Sequence, residues 1–224
     1  GIPISITAGA TDLQNVEFNG GMVGNCSAGY MSLLQGDAIT VTGMQMMDGN
    51  RNAAATTAVI VGSGVREFNM TGGPVGTHTP ADVFAIGIDI QGASVNANIH
   101  GVPFKNVTNE INLVGHLGLG SNIGGNSTSR ATYNTVTAAA TIAIPGVAET
   151  IELSGGTNVE QINYGWDGRT IVVRAVGGTQ TLVHNTGAGA GKIFGNAGAN
   201  ISLLAGRSVR LTYSVAGGGW YQSV

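Results

Sequence analysis

What most constrains this chain is a glycine that returns at nearly even intervals through its first half. Phe18-Asn19-Gly20-Gly21-Met22-Val23, Val41-Thr42-Gly43-Met44-Gln45-Met46, Met70-Thr71-Gly72-Gly73-Pro74-Val75 and Ile99-His100-Gly101-Val102-Pro103-Phe104 share one plan. A strand-like stretch leads into the glycine and a short apolar piece follows it. Aligned on Gly21, Gly43, Gly72 and Gly101, the spacings are 22, 29 and 29, and Ile123-Gly124 starts a fifth copy. Asn or Asp closes several copies: Asn25, Asp48 with Asn50, and Asn106. Repeats of roughly 20–50 residues mark solenoids, because one coil cannot bury its apolar face alone and stacked coils share a continuous core. Equivalent side chains then sit about 4.8 Å apart along the stack. Glycine accepts the positive φ of a tight corner, and Asn tolerates it. Asp48 and Asn106 share an offset and so predict a polar ladder at a corner, which satisfies backbone groups. The pattern predicts a right-handed parallel β-helix over residues 1–131, its last coil running into a Gly/Ser/Asn-rich linker at 115–131.

From about Ala138 the pattern becomes one of alternating short strands with turns every 8–12 residues. Ile142 with Ile144, and Ile151 with Leu153, share faces. Thr170–Val176, Thr181–Asn185, Ile201–Leu204 and Ser208–Val215 follow. In the last, Val209, Leu211, Tyr213 and Val215 alternate with Arg210, Thr212 and Ser214. Asp167-Gly168 and Gly177-Gly178 read as hairpin-type turns. Residues 132–224 are therefore expected to form a small antiparallel β-sandwich. Good helix formers are scarce where a surface helix would need them. The fold class is all-β.

Composition excludes several functions. Charged residues are 9% of the chain, against a usual value of about 25%, and the net charge is −3. Nine Lys+Arg against twelve Asp+Glu leave no basic surplus for nucleic acid. No apolar run approaches the ~18 residues of a membrane span, so no membrane insertion is expected. One cysteine, Cys26, rules out an internal disulfide framework and a cysteine zinc cluster. His78, His100, His116 and His184 lack zinc-type spacing, so neither metal nor other cofactor is expected. Gly187-Ala188-Gly189-Ala190-Gly191-Lys192 imitates a phosphate loop, but Thr186 and Ile193 break the motif. The chain begins at Gly1 without Met, which suggests a fragment or a cleaved product.

A Gly-rich stacked β-helix followed by a small antiparallel domain resembles the C-terminal part of a bacteriophage tailspike or tail-fibre receptor-binding protein. The resemblance is carried by the coil motifs, above all Ile99-His100-Gly101-Val102-Pro103-Phe104-Lys105-Asn106. At the other end it rests on Ala205-Gly206-Arg207-Ser208-Val209-Arg210-Leu211-Thr212-Tyr213 and Gly219-Trp220-Tyr221, which resemble the closing hairpin of many viral fibre domains. It implies a homotrimer joined to the upstream spike on the virion tail, working outside the cell and binding a bacterial surface polysaccharide. Many such proteins are depolymerases that cleave the polysaccharide as hydrolases or lyases. A purely structural trimerisation module and a bacterial adhesin fragment are the other expectations.

Glycan hydrolysis commonly uses two carboxylates flanking the bond. The first half offers Glu17, Asp37, Asp48, Glu67, Asp82, Asp89 and Glu110. Glu67, Asp82 and Asp89 are the catalytic candidates: Glu67 precedes the strand-like Phe68-Asn69-Met70, and the two aspartates flank Val83–Ile88. Ordinary solvated turn acids would look the same, since no spacing fixes a pair. In the second half Trp166, Trp220 and Tyr221 are candidate sugar-stacking rings, with packing as the competing role. Arg169 is a candidate contact to acidic sugars, or an ion-pair partner between protomers.

Overall fold

The structure is a computed structural model that describes residues 2–7, 13–24, 26, 29–47, 57–79, 81–92, 95–114, 117, 121–124, 133–144 and 148–223. Asn25, Asp48, Asn50, His116 and most of the 115–131 stretch lie outside the described residues. Within them the chain is all-β, with helical geometry confined to a 3₁₀ turn at Asn196–Gly198. The chain divides into two compact units, Gly1–Arg130 and Ala131–Val224.

The first unit is a parallel β-solenoid whose described strands make five coils. Coil one supplies β1 (Ile4–Ile6), β2 (Val16–Asn19) and β3 (Met22–Val23). Coil two supplies β4 (Met31–Thr42) and β5 (Gln45–Met46), and coil three β6 (Thr57–Thr71) and β7 (Val75–Gly76). Coil four holds β8 (Phe84–Ile90), β9 (Asn96–His100) and β10 (Phe104–Lys105), and coil five β11 (Val107–Leu113) and β12 (Asn122–Gly124). Stacking builds three parallel faces. The first takes β1, the leading halves of β4 and β6, β8 and β11. The second takes β2, the trailing halves of β4 and β6, β9 and β12. The third is β3, β5, β7 and β10.

Glycine makes the corners. Gly20, Gly43, Gly72 and Gly101 have φ between 63° and 65°, and the first three donate their N–H groups to Thr42, Thr71 and His100 of the next coil. The repeat is thus real, but its first corner is Gly20 rather than Gly21, and the spacing becomes 23, 29 and 29. A Gly-Gly doublet offers two alignments, and only the hydrogen-bond register chooses between them. For the same reason Gly124 pairs with His100, one place before the corner. Asn106, at φ 52°, donates its side-chain amide to Thr77 O at 2.8 Å, one coil away. This is the backbone-satisfying role expected of a corner Asn.

The bend between the first and second faces lies inside β4 and β6. Leu33 pairs with Val61 but Gln35 with Gly64, so β6 carries one extra residue there. A Cβ on Gly64 would stand 2.7 Å from Leu34 O, and so glycine is required where the two coils meet.

Inside, equivalent residues form apolar ladders: Leu33–Val61–Ile90–Leu113 on the first face, Val41–Met70–Ile99 on the second, Met46–Val75–Phe104 on the third. All are 0–4% exposed. Each rung buries the apolar side chains of its neighbours, which supplies most of the stabilisation. Tyr30 lies among them, its ring 5.4 Å from Phe84 and its hydroxyl donating to Gly76 O at 2.6 Å.

The second unit begins in the same manner. Its strands are β13 (Tyr133–Thr137), β14 (Thr141–Ala143), β15 (Thr150–Ser154), β16 (Gln161–Asn163), β17 (Thr170–Ala175), β18 (Gln180–Leu182), β19 (Lys192–Phe194), β20 (Ile201–Leu203), β21 (Ser208–Ser214) and β22 (Gly219–Gln222). One eight-stranded path runs β13-β15-β17-β21-β22-β19-β16-β14. Its two ends are consecutive strands in the chain, so the sheet folds around a single core of Ile, Leu, Val, Tyr213 and Trp220.

The expected antiparallel arrangement holds for β17–β21–β22 and for β18–β20. It fails for β13–β15–β17 and β14–β16, which are parallel. An alternation of period two marks which face is buried and carries no strand direction. Asp167-Gly168 and Gly177-Gly178 are turns, with Gly168 and Gly177 at φ 79° and 77°, but the strands they join do not pair with each other. The hairpin of this unit is β21–β22, with Tyr213 opposite Trp220.

Candidate functional site

The second face of the solenoid turns a flat polar surface outward. Phe68, Met70, Ala97 and Ile99 point into the core, so their neighbours point out. Register stacks these neighbours in columns. One runs Glu17, Thr40, Asn69, Asn98, Asn122. Beside it runs Asn19, Thr42, Thr71, His100, and on the other side Ala38, Glu67, Asn96. The columns contain two carboxylates and no Lys or Arg.

Hydrogen bonds hold these side chains in place. Asn19 Nδ2 donates to Glu17 Oε2 at 3.2 Å, and Asn69 Nδ2 donates to Glu67 Oε1 at 2.9 Å. Asn98 Nδ2 donates across the rung to Asn69 Oδ1 at 3.0 Å. His100 Nδ1 donates to Gly124 O at 3.2 Å. The result is a set of oriented donors and acceptors repeated at the rung spacing. At its edge, where the two faces bend, Arg66 Nη1 meets Asp37 Oδ1 of the preceding coil at 3.3 Å.

The three candidate acids are not brought together. Glu67 is exposed on the second face. Asp89 belongs to the first face, 8% exposed, with both oxygens occupied: Asn112 Nδ2 donates to Oδ1 at 2.7 Å and Gln91 Nε2 to Oδ2 at 3.0 Å. Asp82 lies in the turn before β8, where its backbone N–H donates to Thr79 O at 3.0 Å. Among the described residues no three His, Cys, Asp or Glu side chains are grouped to hold a metal ion. No helix among them is long and apolar enough to cross a membrane.

In the second unit most of the candidate sugar contacts are engaged in packing. Trp220 is fully buried, its Nε1 donating to Ile162 O at 2.9 Å and its ring edge-on to Tyr213 at 5.1 Å. Trp166 is 6% exposed and covered by the Arg169 guanidinium, 4.3 Å from its ring centre. Arg169 is itself buried and donates to Tyr164 O and Ala148 O. Burial works against its charge, and those carbonyls and the Trp166 face offset the cost. Tyr221 is exposed, yet its ring stacks on Phe194 at 4.6 Å and 12°, and its hydroxyl donates to Gly217 O at 2.9 Å. A Cβ on Gly217 would come within 2.7 Å of three Tyr221 atoms, so Gly217 lies against the hydroxyl end of the ring. Trp166, Trp220 and Arg169 are thus buried, and Tyr221 is the one of the four with an exposed side chain.

Residue-by-residue reading of the sequence missed Arg66 and the amide columns. A signal was present: Asp37 and Arg66, like Asn69 and Asn98, stand one full repeat apart in the chain. No protein-family model, no curated protein and no solved structure matches the chain.

Proposed function

We propose that this chain is the attachment part of a bacteriophage tailspike, a homotrimer on the virion tail that binds a polysaccharide of the bacterial surface from outside the cell. The observation that carries the reading is the outward polar ladder of the solenoid's second face. Asn, Thr, Glu and His at regular rungs give donors and acceptors in a repeating array, and a polymer of hydroxylated rings repeats as well. A parallel β-solenoid with few charges is in keeping with that role. So are the rung edges of β1–β3, which call for cover by a neighbour. Attachment is preferred to cleavage because the acids are dispersed and Asp89 is buried, each of its oxygens accepting from an amide.

A printed array of bacterial O-antigens and capsules tests the reading. The chain is expected to retain at least one polysaccharide without releasing reducing ends or unsaturated sugars from it. In light scattering it is expected at three times the chain mass. Replacing Asn69 and Asn98 together by Ala is expected to weaken retention at least about tenfold, the loss of one or two hydrogen bonds with polar partners. An array with no retained glycan would end the attachment reading, and sugar release would turn it into a depolymerase.

A further inference from the structure

We infer that the bend between the first and second faces of the solenoid is a separate subsite, one that takes a single neutral sugar ring through adjacent hydroxyls. The inference rests on the glycan-binding reading and locates a contact which that reading does not. A groove there is lined by Leu13 and Gln14 from coil one, Gln35, Gly36 and Asp37 from coil two, and Gly64 and Arg66 from coil three. Three successive rungs therefore contribute polar groups to one opening. Of its two glycines Gly64 is exposed and Gly36 is buried. Packing requires glycine at Gly64, where a Cβ would stand 2.7 Å from Leu34 O; at Gly36, φ 154°, the near atom is the movable tip of Ile39 at 2.8 Å. A ring entering the groove can meet the exposed main chain only at Gly64.

The chemistry of the lining selects the ligand. Carboxamide, carboxylate and guanidinium are planar groups that present two polar atoms side by side, as two neighbouring hydroxyls of a pyranose do. A carboxylate only accepts, a guanidinium only donates, and carboxamides do both, so the set suits hydroxyls, which also do both. Asp37 and Arg66 cancel each other's charge. An acidic sugar would gain Arg66 and be repelled by Asp37, whereas a neutral one meets no such conflict. The ion pair joins Nη1 to Oδ1 at 3.3 Å, and a carboxylate and a guanidinium each carry further polar atoms beyond that contact. The Arg66 side chain is 81% exposed and that of Asp37 39%, so both are reachable from solvent. Glu67 of the polar ladder is the next residue after Arg66 on β6.

Two measurements test this. In the first, the arginine side-chain N–H resonances are followed while methyl glycosides of glucose, galactose, mannose and rhamnose are added at millimolar concentration. The Arg66 signal is expected to shift with at least one of them and to stay still with glucuronic acid. Failure of every neutral glycoside to move it, or a shift with the uronic acid alone, overturns the inference. The second uses the polysaccharide retained on the array. Arg66→Ala and Asp37→Asn are each expected to weaken its binding about tenfold, one charge-assisted hydrogen bond. The melting temperature should not move, since an exposed ion pair contributes little to stability. Binding unchanged in both variants but lost in the Asn69/Asn98 double variant would refute the subsite while leaving attachment intact. An empty array together with a glycoside-responsive Arg66 would do the reverse.

Discussion

At the scale of single residues, the second unit is held by a small group around the β21–β22 hairpin. Tyr213 lies opposite Trp220 and is 2% exposed. Burial pushes its phenol up to about 12, and the nearby charge of Asp167 adds to the effect. The native state therefore keeps this proton where an unfolded chain, with an ordinary tyrosine near ~10, gives it up. The contribution to stability is complete below pH ~10 and is lost as pH rises from there through about 12. Phenolate absorbance should record a tyrosine ionising above pH ~10, together with unfolding, and Tyr213→Phe should remove that step. Gly165 faces the same ring, and an added Cβ would collide with Tyr213 Cδ2 and Cγ. Gly165→Ala is expected to cost ~1–3 kcal/mol by overpacking, read as a lower urea midpoint at unchanged slope. The inward place of Trp220 was legible in outline. Val209, Leu211 and Tyr213 alternate onto one face, and a tight turn at 215–218 sets Trp220 opposite Tyr213. Only the presence of an aromatic ring, which does not reveal its surroundings, argued for a sugar contact.

At the scale of the coil, neighbouring glycines do different work. Gly72 has φ 63° and open space where a Cβ would go. Gly73, at φ 75°, has the Met44 carbonyl where that atom would have to stand. Gly72→Ala should therefore cost about 1 kcal/mol, the left-handed backbone penalty alone, and Gly72→Asn less than that. Gly73→Ala must push two rungs apart and is expected to cost several times as much, in thermal melts of the three variants side by side. These corners were readable from the sequence because a left-handed turn leaves a compositional mark. Strand direction in the second unit leaves none: Ile142 and Ile144 alternate in the same way whether their neighbour runs up or down. The polar ladder was half legible. Glu67 was visible as an outward acid. Its partners Asn69 and Asn98 emerge only when the repeat length is used to predict which side chains touch, as it also does for Asp37 with Arg66 and Thr77 with Asn106.

At the scale of the molecule, each unit has its own core, and in the first unit that core is a set of ladders with no centre. A ladder can lengthen without changing what any rung sees, because every rung meets only the one before and the one after. From coil two to coil four the second and third faces keep one period, with Thr42 over Thr71, Thr71 over His100, and Val75 over Phe104. Cutting the chain after Thr42 and rejoining it at Gly72 removes Gly43–Thr71, one whole repeat, and returns one corner glycine to the place of another. Such a shortened protein should fold, with a solution scattering profile reporting a first unit one strand spacing shorter and with proportionally less heat absorbed on melting. Removing Gly43–Glu67 instead falls short of a repeat. Side chains after that junction would lose step with the rungs on either side, and the product should aggregate. Length is thus a quantity this architecture can change in whole steps, and reach from a surface becomes something evolution or an engineer can set by counting.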